Sequence, residues 1–279
     1  MKKLVLLDLD GTLIDNEYQL NVPVEHLKKS LKEAKSRGLT VGISSDSSAK
    51  TILTYKKLLG ISGPIIAEKG AYLTRGSNID DGIQTIEQAS IFSMVREKFV
   101  KKLLTDPQVL VIYGDVNEIS QSFSNLPCNN CSSNKAVLIN NSRRASLSFY
   151  AYERVKNLWQ TNHSILGTIR NEVMRILRDE SETLANNVQI DLNKKSGVCI
   201  IHHNKTSKSL ALPILQYWYP HHQIFTIGDS LTDYYKSGSV IYCAVGNADK
   251  QFKRQCQIVA SGNYTAGVIE LIKKISRYH

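Results

Sequence analysis

Two aspartates, Asp8 and Asp10, end the apolar run LVLLDLDGT, and two more, Asp229 and Asp233, follow a second apolar run in QIFTIGDSLTD. Either pair alone reads as a capped turn. Two further apolar segments, LTVGISSDS and VIYCAVGNA, also end in short polar sequences. In an open parallel sheet, ligands bind outside the carboxyl ends of the strands. If the four ends share one sheet edge, their carboxylates converge, and such a cluster cannot stay ionised without a cation. Hard oxygen donors favour Mg²⁺, which retains waters and takes one or two carboxylates together with a phosphate. A carboxylate in that setting can attack phosphorus and form an aspartyl-phosphate.

The surrounding pattern supplies elements to position these groups. Residues 4–9 read as a buried strand, and VPVEHLKKSLKEAKSRG reads as a helix with Val24, Leu27, Leu31 and Ala34 on one face and Gly38 as its stop. LTVGIS, the helical TILTYKKLLG and the strand PIIAEKGAYL continue a β-α-β-α-β alternation, which predicts a parallel sheet covered by helices. From about Gly76 the pattern changes. A helix near 87–104, strands at QVLVIYG, KAVLIN and ASLSFYA, the helix SILGTIRNEVMRILRDE and a hairpin of NNVQIDL and GVCIIHH suggest a separate α+β domain. Alternation resumes after Lys208. The expected fold class is α/β, a Rossmann-like parallel-sheet core of residues 1–77 and 192–279 with an inserted α+β cap at 78–191.

The bulk numbers are compatible with this. At 279 residues, 42% hydrophobic and 22% charged, the chain can bury a core and is not of disordered composition. Its net charge of +10 favours anionic partners without choosing among phosphorylated metabolites, nucleic acid and acidic membranes. The basic residues are scattered, and the pairs at 2–3, 28–29 and 273–274 read as solvated faces. No apolar run reaches the roughly 18–20 residues of a membrane span, and Asp8 and Asp10 cut the first run too short for a secretory signal. A cytoplasmic protein is expected. Five irregularly spaced cysteines do not suggest a disulfide framework, and Cys128 and Cys131 in PCNNC read as a thiol-bearing loop rather than a zinc site.

DLDGT at 8–12, a strand ending in Ser44-Ser45, a lysine before a helix, and GDSLTD at 228–233 together resemble the four ordered motifs of the haloacid dehalogenase superfamily. The insert between the second and third motifs resembles the cap of its Cof-type sugar phosphatases. The resemblance implies that Asp8 is the nucleophile and Asp10 the general acid/base, with Thr12 orienting Asp10. It places Mg²⁺ on the Asp8 side chain, the Asp10 carbonyl, Asp229 and, directly or through water, Asp233. Ser45 aligns with the phosphate-binding hydroxyl and Ser44 is its neighbour. Where the family often reads T-G-R, this chain reads Ser45-Asp46-Ser47, which removes the arginine. Lys205 and Lys208 both lie near the third motif, and KSLALPIL at 208–215 favours Lys208.

Looser matches place Lys69 of AEKG where the subfamily often has asparagine, and Asn247 of GNA on the substrate side. The layout of residues 44–70 is similar to mannosyl-3-phosphoglycerate phosphatases. The histidine pairs 202–203 and 221–222 read as surface residues, and Tyr217, Trp218 and Tyr219 as packing at a helix end. The implied activity is Mg²⁺-dependent hydrolysis of a small phosphorylated metabolite, a sugar phosphate or related monoester, with no nucleic-acid or membrane partner. Two alternatives stand beside it: a phosphosugar mutase of the same superfamily, and a basic nucleic-acid-binding protein on a retired enzyme fold.

Overall fold

The computed structural model describes residues 2–15, 17–76, 78–85, 89–104, 109–114, 133–156, 158–193 and 197–278. It divides into two compact units, one of Met1–Thr85 with Ser207–His279, the other of Ile86–Thr206. Cys128 and Cys131 lie outside the described residues.

The first unit is built on β1 (Lys2–Leu7), which pairs in parallel with β2 (Leu39–Ser44) on one side and with a strand at His222–Gly228 on the other. Leu4, Val5, Leu6 and Leu7 are all buried, as a central parallel strand covered on both faces requires. The helix Val24–Ser36 (α1) returns the chain to β2, with Leu27, Leu31 and Ala34 turned inward. The helix Ala49–Leu59 (α2) follows, its first turn capped by Ser48, whose hydroxyl accepts from the Thr51 amide, and its end closed by Gly60 at φ 66°.

PIIAEKGAYL is not one strand. It splits into β3 (Ile65–Ala67) and β4 (Tyr72–Thr74), which pair antiparallel across a turn in which Glu68, Lys69 and Gly70 all have positive φ. A short β5 (Ile83–Gln84) completes that edge.

The second unit holds the helix Ala89–Leu104 (α3), strands β6 (Val109–Gly114), β7 (Lys135–Asn140), β8 (Leu147–Val155) and β9 (Leu158–Thr161), and the helix His163–Glu180 (α4). The short helix Glu182–Asn186 (α5) leads into β10 (Val188–Asn193) and β11 (Val198–His203). Its sheet runs β10-β11-β8-β7-β6. Phe92, Val95, Phe99, Phe149, Leu166, Ile169 and Val173 form part of its core. Because β11 pairs with β8, the hairpin 188–203 belongs to this sheet, and the return to the first unit falls at Ser207 rather than at residue 192.

After Ser207 the chain forms the helix Leu212–Trp218 (α6), β12 (His222–Gly228), β13 (Val240–Ala244), the short helix Lys250–Lys253 (α7), β14 (Ile258–Val259) and the helix Tyr264–Arg277 (α8). The sheet order of the first unit is β14-β13-β12-β1-β2-β3-β4-β5.

Three surface expectations change. Lys3 is buried, and its ammonium donates to Ile275 O at 2.9 Å and to Tyr278 O, so a residue read as solvated closes the carboxyl end of α8. His202 and His203 are buried: His202 Nε2 pairs with Asp191 Oδ2 at 2.7 Å, and the Lys205 amide donates to His203 Nδ1 at 3.1 Å. Tyr217 is exposed, whereas Trp218 and Tyr219 pack on the cluster around Leu4, Leu6 and Leu215. No described helix is long and apolar enough to cross a membrane.

Candidate active site

The register that pairs Leu7 with Ile227 carries into the site, because the Asp8 amide continues the ladder by donating to Ile227 O at 2.9 Å. Asp8 is therefore fixed at the carboxyl ends of the two central strands, and Asp229 follows Gly228 at the end of β12. Gly11 turns the chain back at φ 79°. A Cβ built there would lie 2.5 Å from Asp229 Oδ2, so any side chain at this left-handed position would have to displace the Asp229 carboxylate.

Lys208 opens a short 3₁₀ turn whose first residues are held by the Ser207 hydroxyl, accepting from the Ser209 amide. Its ammonium is buried 2.6 Å from Asp8 Oδ1 and 2.7 Å from Asp233 Oδ1. Lys205 belongs to the other unit. The second oxygen of Asp233 accepts from the amides of Asp229, at 3.1 Å, and Ser230, at 3.4 Å. Asp233 thus spends both oxygens in holding Lys208 and the loop that presents Asp229.

Burial, followed by the Asp233 charge, holds the Asp8 carboxyl well above the usual carboxylate range despite Lys208. Burial draws the Lys208 ammonium down, but Asp233 and Asp8 outweigh it and keep it above its ordinary value. Burial and then Asp233 push Asp229 up to about 6. Asp8, Asp229 and Asp233 each place a carboxylate oxygen within 4.8 Å of the others. Three clustered carboxylates face one ammonium, and the all-oxygen donor set suits a hard divalent cation.

Asp10 is exposed, and the Ser47 hydroxyl donates to its Oδ2 at 3.1 Å. Thr12 is fully buried, and its hydroxyl points to Asp229 Oδ1 at 3.4 Å. The hydroxyl expected to orient Asp10 supports a metal-side carboxylate, because Thr12 sits beneath the loop while Asp10 faces outward.

At the end of β2 both serines are buried. The Ser44 hydroxyl is 2.7 Å from the Tyr235 hydroxyl, and Ser45 Oγ accepts from the Ser47 amide at 3.1 Å. Burial raises the Tyr235 phenol far above its ordinary range, so it acts as a neutral hydrogen-bonding group. Tyr235 and Ser47 were not among the residues picked from sequence. The only hint was their position, each two residues past a motif aspartate or serine.

Asn247 does not face a ligand space with its amide. Its Nδ2 donates to Gly11 O at 2.7 Å and its Oδ1 accepts from the Tyr264 amide at 2.8 Å, which ties the first loop to α8. Lys69 has left-handed backbone at φ 59°, and its amide donates to Ser45 O at 3.3 Å, so its backbone supports the second motif.

The chain belongs to the haloacid dehalogenase-like hydrolases, whose family profile matches residues 5–272. A phosphoglycolate phosphatase of Staphylothermus marinus is 23% identical over 279 residues, 99% of this chain and 98% of its own length. One from Methanopyrus kandleri is 31% identical over 101 residues, 36% of this chain and 40% of its own length. Among solved structures, a haloacid dehalogenase-like hydrolase from Bacteroides thetaiotaomicron superposes with a TM-score of 0.64 at 15% identity, covering 99% of this chain and 100% of that one. A Thermotoga maritima protein gives 0.63 at 18% identity, covering 100% and 99%. The fold is that of the family, and the chain is a hydrolase of its phosphatase type.

Proposed function

We propose that the chain is a Mg²⁺-dependent phosphatase acting on a small phosphorylated metabolite through an aspartyl-phosphate on Asp8. The observation that carries this is the Asp8 carboxylate, buried at the end of β1 against Lys208 and grouped with Asp229. The Asp8 and Asp229 carboxylates and the Asp10 carbonyl would hold Mg²⁺, with Asp233 a direct or water-mediated partner, and the ion would supply the charge that lets a carboxylate approach a phosphate dianion.

The chain's own groups do the rest. An Asp8 oxygen bonds to phosphorus as the ester P–O bond breaks, and Asp10 gives its proton to the departing oxygen. Asp10 then takes a proton from the water whose oxygen attacks phosphorus, which frees Asp8 and releases phosphate. Lys208 holds Asp8 in place and adds a fixed positive charge beside the phosphoryl group. Ser45, whose oxygen already accepts from the Ser47 amide, keeps its hydroxyl proton to donate to a phosphate oxygen.

The phosphoglycolate phosphatase relatives support a small monoester, so phosphoglycolate and sugar phosphates are the substrates to screen. The test is p-nitrophenyl phosphate hydrolysis with Mg²⁺, with EDTA and with Asp8→Asn. Activity that needs both Mg²⁺ and Asp8 supports the reading; metal-independent turnover, or an active Asp8→Asn enzyme, removes it.

A further inference from the structure

The residues after β2 form a run of short polar side chains, Ser44 to Ser48, and most have an identifiable task. Ser44 meets Tyr235, Ser45 receives the Ser47 amide, and Ser48 caps α2. The task of Ser47 lies outside its own loop: its hydroxyl reaches across to Asp10 Oδ2 at 3.1 Å.

We infer that Ser47 is the positioning residue for the proton-transferring carboxylate of Asp10, an inference that rests on the phosphatase reading above. A carboxylate rotates readily about its last torsion, so each hydrogen bond it accepts helps set the direction in which it presents a proton. The Ser47 donor on Oδ2 restricts that rotation.

The donor is itself anchored on both sides. The Ser47 amide is bound by Ser45 Oγ, and its carbonyl accepts from the Glu68 amide at 3.0 Å. Glu68 is buried and holds left-handed backbone at φ 52°, a conformation that persists only where the surroundings dictate it. The neighbouring hydroxyl that could have served, Thr12, is turned to Asp229 instead. On the phosphatase reading the second-motif loop then does two things: Ser45 would donate to the phosphate and Ser47 helps set the acid.

Leaving-group dependence tests the inference. Loss of a correctly aimed acid matters most for esters whose leaving oxygen must be protonated, and least for those whose leaving group departs as a stable anion. The kcat/KM ratio of p-nitrophenyl phosphate to phenyl phosphate is measured for wild type, Ser47→Ala, Ser47→Thr and Asp10→Asn. The ratio should rise about tenfold in Ser47→Ala, a part of the roughly 10²–10⁴ that a positioned acid contributes. Ser47→Thr, which keeps the hydroxyl, should restore the wild-type ratio, and Asp10→Asn should raise it further. A parallel fall on both esters in Ser47→Ala, with Asp10→Asn still discriminating, overturns the inference and leaves the phosphatase reading standing. No discrimination in Asp10→Asn, or no hydrolysis of either ester by wild type, overturns the phosphatase reading itself and the inference with it.

Discussion

Lys208 Nζ lies 2.6 Å from Asp8 Oδ1, although the two residues are 200 positions apart in the chain. Both are buried, so each charge is largely shielded from solvent. Removing one partner of such a contact strands the other, which typically costs about 3–5 kcal/mol. Lys208→Ala leaves both Asp8 and Asp233 without their cation. It is expected to destabilise the fold by about 3 kcal/mol, read from urea denaturation, and to lower kcat by about 10²–10³-fold through loss of the fixed charge.

A divalent cation bound at the acidic cluster would make stability depend on its concentration. A ligand bound only by the folded state stabilises it by about 2.7 kcal/mol at a hundred times its Kd. Thermal melts with increasing Mg²⁺ should therefore rise for the wild type. Asp229→Asn should abolish most of that rise, because Asp229 presents its carboxylate from the end of β12 into the cluster.

Gly11 is where the first motif turns onto the fourth. Alanine there would have to adopt φ 79° and would drive its Cβ to 2.5 Å from Asp229 Oδ2. Left-handed backbone at a non-glycine residue costs about 1–2 kcal/mol, and the collision adds to it. Gly11→Ala should lower the urea midpoint and weaken Mg²⁺ binding together. Loss of stability with Mg²⁺ affinity intact would show that Asp229 is not held by this turn.

Glu270 gives a pH signature remote from the site. Lys274, the Gly262 amide and Ser261 hold its carboxyl at about 2, against 4.5 for a free glutamate. Because the folded value is the lower one, the stabilisation is complete above 4.5 and is lost as pH falls toward 2. Glu270→Gln should flatten that part of the acid limb in urea titrations at fixed pH and leave the neutral range without a new slope.

Much of this was legible from sequence because its signals are local. Apolar runs ending in aspartate or serine marked β1, β2 and β12, and helical periodicity marked α1 and α4. What sequence did not show depends on register or on contacts far apart in the chain. The hairpin at 188–203 reads the same whichever sheet it joins, and only its pairing with β8 assigns it. The turn through Glu68 and Lys69 was hidden because neither is a residue type that signals positive φ. The family resemblance implies that Thr12 orients Asp10, yet the loop that turns at Gly11 sends the Thr12 hydroxyl to Asp229. Asp233 and Asn247 carry the residue types of a ligand set, but their hydrogen bonds are made within the scaffold. Lys3 and His202 looked solvated because a polar residue beside an apolar run gives no sign of a buried carbonyl or carboxylate waiting for it.

The central claim is that Asp8 becomes covalently phosphorylated. The most direct measurement is an acid quench during turnover with Mg²⁺, followed by peptide mass spectrometry of the N-terminal segment carrying Asp8 and Asp10. A phosphoryl group that sits on Asp8, appears only with substrate and is absent from Asp8→Asn is the expected result. Steady turnover with no phosphorylated peptide, or with the label elsewhere, would contradict it.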